Sequence, residues 1–168
     1  MMKKLIIING AMGIGKTTTC RELYKSLDNS VWLDGDWCWM LNPFVANEEN
    51  IEMVQKNINY LLNSFLNNSS IEYIVFNWVI HLEEIFESIL KNLDNIEYEV
   101  YKITLMCSEE GLRKRIGKDV ENNLRDEDCI NRSLDRLKLY KDMDTIKIDT
   151  SNLTVSETVE KIKEIINA

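Results

Sequence analysis

Apolar residues along the chain follow two alternating periods. Leu5-Ile6-Ile7-Ile8 is a continuous, β-branched-rich run, which predicts a strand buried on both faces of a parallel sheet. Cys20, Leu23, Tyr24 and Leu27 then recur at offsets 0, 3, 4 and 7, the stripe of an amphipathic helix. Val31-Trp32-Leu33 predicts a second short strand. After Asn47, an acidic pair opens a helix whose apolar face is Ile51, Val54, Ile58, Leu61, Leu62 and Phe65, and Asn67-Asn68-Ser69-Ser70 ends it. A third strand is expected from Ile71 to Val79. A helix follows through Leu82, Ile85, Phe86, Ile89, Leu90 and Leu93, and a fourth strand through Val100, Ile103 and Leu105. Ser108-Glu109-Glu110 starts another helix. Asp126 is a candidate cap for one that buries Ile130, Leu134 and Leu137. Thr145 to Ile148 is the fifth strand. Thr154-Val155-Ser156-Glu157 reads as a capping box, leading a helix with Val155, Val159, Ile162 and Ile166 inward. Five strands alternating with helices, with no linker or internal repeat, predict a single α/β domain over 1–168 with a mainly parallel sheet.

The polar punctuation after the first strand carries the chemistry. Gly10-Ala11-Met12-Gly13-Ile14-Gly15-Lys16-Thr17 fits the phosphate-binding pattern G-x-x-x-x-G-K-[ST], and the strand before it and helix after it are the context that pattern requires. Glycines let successive backbone N–H groups converge on an anion, and the helix N-terminus adds its positive dipole end. Lys16 is expected to reach the β and γ phosphates of ATP, and Thr17 to offer its hydroxyl to Mg²⁺. Gly10, Met12, Gly13, Ile14, Gly15 and Thr18 are the expected neighbours of the nucleotide.

The second strand runs into Asp34-Gly35-Asp36, at the sheet end where ligands of open α/β sheets bind. A solvated turn and a functional pair of carboxylates are both open readings; a glycine loop on the first strand favours the second. Trp37, Cys38 and Trp39 follow, either as a buried corner or as the wall of a substrate pocket. The third strand ends on Asn77 and Trp78, both expected on the ligand side, where many motor ATPases and GTPases carry an aspartate. His81, the one histidine, lies just beyond. The region of about 108–138 holds Arg113, Lys114, Arg115, Lys118, Arg125, Arg132 and Arg136, the densest basic stretch of the chain. It reads either as a solvated face or as a lid that closes arginines on a transferring phosphate.

Composition narrows the partners. The 168 residues carry a net charge of −8, which disfavours a nucleic-acid polymer as main partner. No apolar run approaches the ~20 residues that span a bilayer, so no membrane partner is expected. Four dispersed cysteines, without a C-x-x-C pair, suggest a reducing, cytoplasmic setting, with Cys20 and Cys107 packed as small apolar residues. Oligomeric state is not legible.

Gly10 to Thr17, Leu33-Asp34-Gly35-Asp36, Leu112…Arg115 with the basic region, and Ile148-Asp149-Thr150-Ser151 together resemble the small P-loop kinases. That group includes shikimate, gluconate and adenylylsulfate kinases and the chloramphenicol phosphotransferase and tunicamycin-resistance proteins. The resemblance implies a P-loop NTPase fold of three α/β/α layers, a five-stranded sheet of order 2-3-1-4-5 and a helical lid. It implies ATP and Mg²⁺ as cofactors and a small-molecule hydroxyl as phosphate acceptor. Thr17 and Asp34 would serve the metal, and Asp36 the acceptor. Lys16, Asp36, Arg125 and Arg132 would act on the reaction. Arg115, Thr150 and Ser151 would border the base. Trp37, Trp39, Asn77 and Trp78 suggest a pocket for a partly apolar or ring-shaped acceptor. A non-catalytic ATP-binding module, a nucleoside or nucleotide kinase and a polynucleotide 5′-kinase are the alternatives; no N-K-x-D guanine motif is present.

Overall fold

The computed structural model describes residues 2–94, 96–122 and 128–168. Strand β1 spans Lys3–Asn9, and Leu5 to Ile8 are wholly buried. A strand without an exposed face must be covered on both sides, which alternating helices achieve. Each such side chain contributes roughly 1.5–3 kcal/mol by leaving water. The other strands are β2 (Ser30–Asp34), β3 (Tyr73–Asn77), β4 (Tyr98–Met106) and β5 (Ile146–Asp149). The sheet order is β2-β3-β1-β4-β5, and every pairing is parallel.

The helices are α1 (Lys16–Lys25), α2 (Glu48–Leu66), α3 (Glu83–Leu90), α4 (Glu109–Glu121), α5 (Asp128–Leu137) and α6 (Val155–Ile166). A short 3-10 helix, Gly35–Trp39, leaves β2. Helix α1 packs beside α6 and on β1 to β3, α2 against α3 and β3, and α4 against α5. Three N-termini are capped as their sequences require. Asn47 accepts from Asn50 N–H, Ser108 from Gly111 N–H, and Thr154 forms a reciprocal box with Glu157.

Several expectations are corrected. The third strand is shorter than Ile71 to Val79, because the chain turns away at Trp78. Val155 is 37% exposed rather than core, because at the N-terminus of α6 it borders the cleft described below. Ile130 is only half-buried, whereas Leu134 and Leu137 are buried as expected, with Cys129 and Ser133 completing that face. Asp126 and Arg125 lie outside the described residues. Cys20 and Cys107 are buried, and burial raises both thiol pKa values. Among the described residues no helix is long and apolar enough to cross a membrane.

Candidate functional site

Parallel pairing brings the carboxyl ends of all five strands to one edge. Asp34 aligns with Asn77, Ile8 with Asn77, Asn9 with Thr104, and Met106 with Asp149. The glycine loop leaves this edge between β1 and α1. Gly13 has φ +79°, and a Cβ there would stand 2.5 Å from Ile116 Cγ1 of α4. Gly15 has φ +106° with open space where a Cβ would be, so its backbone is free to approach a ligand. Asn9, buried at the loop's base, was missed by sequence reasoning. Its Oδ1 accepts from Gly10 N–H at 2.6 Å and Ile80 N–H at 3.2 Å, tying the loop to the segment after β3.

Helix α1 starts on Gly15 in the left-handed region, with no side chain capping it and no acidic residue in its first turn. Its first amides and positive dipole end are thus left for an anion. Lys16 is buried, and its Nζ donates to Gly10 O at 2.8 Å and Ala11 O at 3.0 Å. The ammonium is therefore folded over the loop, within reach of whatever the loop holds.

Thr17 and Asp34 meet across the sheet edge: the hydroxyl donates to Asp34 Oδ2 at 2.9 Å. Asp34 Oδ1 accepts from Asp36 N–H at 3.1 Å, capping the 3-10 helix and fixing Asp36. Asp34 is buried, and Gly35 is required beside it because a Cβ would strike the Trp78 indole at 2.6 Å. Trp78 thus packs behind the turn and does not border the cleft. Trp37 is 51% exposed and tilts on Trp32, so it is neither a buried corner nor a pocket wall.

The cleft above this edge has a volume of about 870 Å³. Met12 to Thr18 line it, as do Asp36, Trp39, Asn77, Arg115 and Thr150. Phe44, Val79, Asp119, Leu153 and Val155 also border it and were not singled out as contacts from sequence, and Lys118 and Arg136 of the basic stretch border it too. Trp39 and Phe44 form a ring pair at 5.4 Å. Of the two lid arginines on α5, Arg136 borders the cleft, and Arg132, one turn earlier, is exposed and does not.

At the opposite end Arg115 is pinned in place. Nη1 donates to Ile14 O at 2.9 Å and Thr150 Oγ1 at 3.0 Å, and Nη2 to Thr150 O at 2.6 Å. The guanidinium therefore locks the glycine loop to the β5–α6 loop. Ser151 does not line the cleft. Its hydroxyl donates to Asp149 Oδ1 at 2.6 Å and accepts from Ser108 N–H at 2.9 Å. The bonds that the Ser151 hydroxyl and N–H donate to it hold the Asp149 carboxyl below its usual pKa. His81 is half-buried; burial, then the nearby Arg136 charge, lowers its pKa.

A family model of the AAA domain matches residues 6–138, which include the glycine loop, both aspartates and the α4–α5 region. The chain belongs to that family. No curated protein matches this AAA-domain chain in sequence. Its fold is shared with solved structures of small P-loop kinases and their relatives. The Deinococcus radiodurans tunicamycin resistance protein is similar at a TM-score of 0.72 and 16% identity, over 98% of this chain and 95% of that one. A gluconokinase from Sinorhizobium meliloti gives 0.66 and 12%, over 98% and 95%. Shikimate kinase from Acinetobacter baumannii, solved with shikimate, gives 0.62 and 20%, over 99% and 93%. At such identities the likeness shows the fold, and site roles have to be argued from the chain's own residues.

Proposed function

We propose that this chain is an ATP-dependent phosphotransferase that moves the γ-phosphoryl group to a hydroxyl of a small molecule. The observation that carries the reading is the Thr17–Asp34 hydrogen bond of 2.9 Å, with Asp36 fixed by the same carboxylate and bordering the same cleft. A binding loop alone needs no carboxylate pair opposite it.

The residues fit Mg-ATP. A hydroxyl and one carboxylate make the sparse donor set Mg²⁺ takes when phosphates and waters supply the rest. Thr17 and Asp34 would hold it, Asp34 directly or through water, and its charge would offset that of the β and γ phosphates. The uncapped α1 amides and the Gly13–Gly15 backbone would bind the phosphate oxygens. Lys16 would exchange its two carbonyl partners for β and γ oxygens. Arg115, Thr150 and Ser151 hold the loop that would border the base, with Leu153 and Val155 as its apolar side.

Asp36 would orient the acceptor hydroxyl and accept its proton as the new O–P bond forms. The bond between the γ-phosphorus and the β–γ bridging oxygen breaks, and ADP leaves. Residues 108–138 would act as the lid, with Arg125 and Arg132 as candidates to meet the transferring charge and Arg136 already at the cleft. Trp39 and Asn77 would face the acceptor, and Trp78 would support that wall from behind, with Trp37 outside it. The dispersed cysteines suit a cytoplasmic setting.

The test is ADP release from Mg-ATP across a library of sugars, nucleosides, hydroxy acids and hydroxylated antibiotics. Acceptor-dependent turnover is expected, with Lys16→Ala removing most of it and Asp36→Asn lowering it by ~10²–10⁴-fold while retaining ATP binding. Tight ATP binding with no acceptor-dependent turnover would favour the non-catalytic module. An Asp36→Asn protein at full rate would remove the base assignment.

A further inference from the structure

Leu5 to Ile8 are apolar and wholly buried, and the next residue, Asn9, is an amide that is just as completely buried. Burying an amide is costly unless its donors and acceptors are met. Here all of them are. Oδ1 accepts from Gly10 N–H at 2.6 Å and from Ile80 N–H at 3.2 Å. Nδ2 donates to Thr104 Oγ1 at 3.3 Å and to Met143 Sδ at 3.6 Å. A backbone N–H can only donate, so the oxygen must face Gly10 and Ile80. Asn9 aligns with Thr104 across β1 and β4, which sets the other end of the amide.

The two N–H groups on that oxygen belong to different walls of the cleft. Gly10 opens the glycine loop, and its carbonyl accepts from Lys16 Nζ at 2.8 Å. A Cβ on Gly10 would stand 2.7 Å from Leu105 O, so the loop's first residue is wedged against β4. Ile80 is buried and follows Val79, which borders the cleft. The stretch between β3 and α3 is tied to β1 at two points, by Trp78 N–H on Ile8 O at 3.4 Å and by Ile80 N–H on Asn9. Ile80 N–H makes no other hydrogen bond among the described residues, so it is released only when the bond to Asn9 opens.

We infer that Asn9 is a positioning residue whose single amide oxygen couples the glycine loop to the Val79 wall, so that a nucleotide on the loop also fixes the stretch after β3. This rests on the nucleotide-binding half of the phosphotransfer reading. A nucleotide that needs Gly10 in place holds the node shut, and by reciprocity a protein without the node binds the nucleotide less well.

The experiment measures amide hydrogen exchange of the full chain, with and without Mg-ADP at 100 times its Kd. Ile80 N–H should exchange about tenfold or more slowly with nucleotide, under a ceiling of about 100-fold set by that concentration. The control is Glu72 N–H, bonded to Asn29 O at 2.8 Å before β3, where neither residue borders the cleft. Its exchange should not respond, and equal slowing of both amides would mean general stabilisation and overturn the inference. Asn9→Leu, similar in size but without the oxygen, should bind Mg-ADP about tenfold or more weakly in calorimetry. Thr104→Val disturbs the same buried cluster but leaves both bonds to Oδ1, so its Mg-ADP affinity should be unchanged even if its stability falls. A merely structural Asn9 would not separate these two variants. Asn9→Asp keeps an acceptor oxygen and should keep the Ile80 response at saturating Mg-ADP; its loss there would overturn the account, whether or not Asn9→Leu folds. Mg-ADP binding without selective slowing at Ile80 removes the node and leaves the kinase reading. Selective slowing without acceptor-dependent ADP release from Mg-ATP keeps the node and removes the kinase. No binding of Mg-ADP at all overturns both.

Discussion

Asp34 shows how much one buried carboxylate can organise. One oxygen takes the Thr17 hydroxyl and the other takes Asp36 N–H, so the residues proposed to face the metal and the acceptor share a single anchor. Asp34→Asn keeps the shape but can offer only one oxygen, and its amide NH₂ would oppose a cation. We expect Mg²⁺ affinity of the ADP complex to fall about 10–100-fold, with metal-free ADP binding little changed. Calorimetric titration of Mg²⁺ into both proteins measures this, and equal affinities would remove Asp34 from the metal site. Their place at the end of a predicted strand, with a glycine loop on the first strand, put Asp34 and Asp36 at the loop's edge of the sheet, because strand ends of an open α/β sheet share one edge. Arg136 could not be told from Arg132 in this way. Both lie on one helix face, and only the seating of α5 decides which of them reaches the cleft.

Elements add constraints that a motif does not contain. The glycine loop is wedged against α4 at Gly13 but open at Gly15, although both have positive φ. Gly13→Ala incurs left-handed strain and a clash with buried Ile116, about 2–5 kcal/mol together, whereas Gly15→Ala incurs the strain alone, about 1–2 kcal/mol. Urea unfolding should rank them in that order, and equal losses would mean that α4 yields freely. The β5–α6 loop has its own signature. Ser151 holds the Asp149 carboxyl below its usual pKa, so the folded state keeps the charged form more readily than the unfolded chain. Such a depressed pKa stabilises above the ordinary carboxylate range and is lost as pH falls through the folded value. The stability gap between the protein and Asp149→Asn should therefore be constant from neutral pH to about pH 5 and shrink as pH falls through and below the ordinary carboxylate range, in denaturant melts at each pH. A gap unchanged at low pH would argue against that link. The capping box at Thr154 and the buried run of β1 were legible because local sequence determines them. Val155 was not: its helical period is correct, but at the N-terminus of α6 it borders the cleft and not the core.

At the scale of the whole molecule, sequence periodicity gave the alternation of strands and helices, and the order of the strands came through family resemblance. Nothing in the period of a strand names its neighbour. Phe44 and Val79 escaped notice for the same reason, since they border one cleft only once the chain has folded. The cleft is therefore a property of the assembled chain: the loop after β1, the end of β2, helix α4 and the β5–α6 loop contribute to it from distant parts of the sequence. An unfolded chain has no equivalent, so a nucleotide bound there must stabilise the fold by linkage. At a concentration of 100 times Kd the gain is about 2.7 kcal/mol. For a chain of this size that corresponds to a rise in Tm of roughly 5–11 °C. Mg-ADP should produce such a rise, and Lys16→Ala should remove most of it, because that ammonium is folded over the loop where phosphate oxygens would bind. A Tm that does not respond to millimolar Mg-ADP would mean that the cleft holds something other than a nucleotide, and the kinase reading would fall with it.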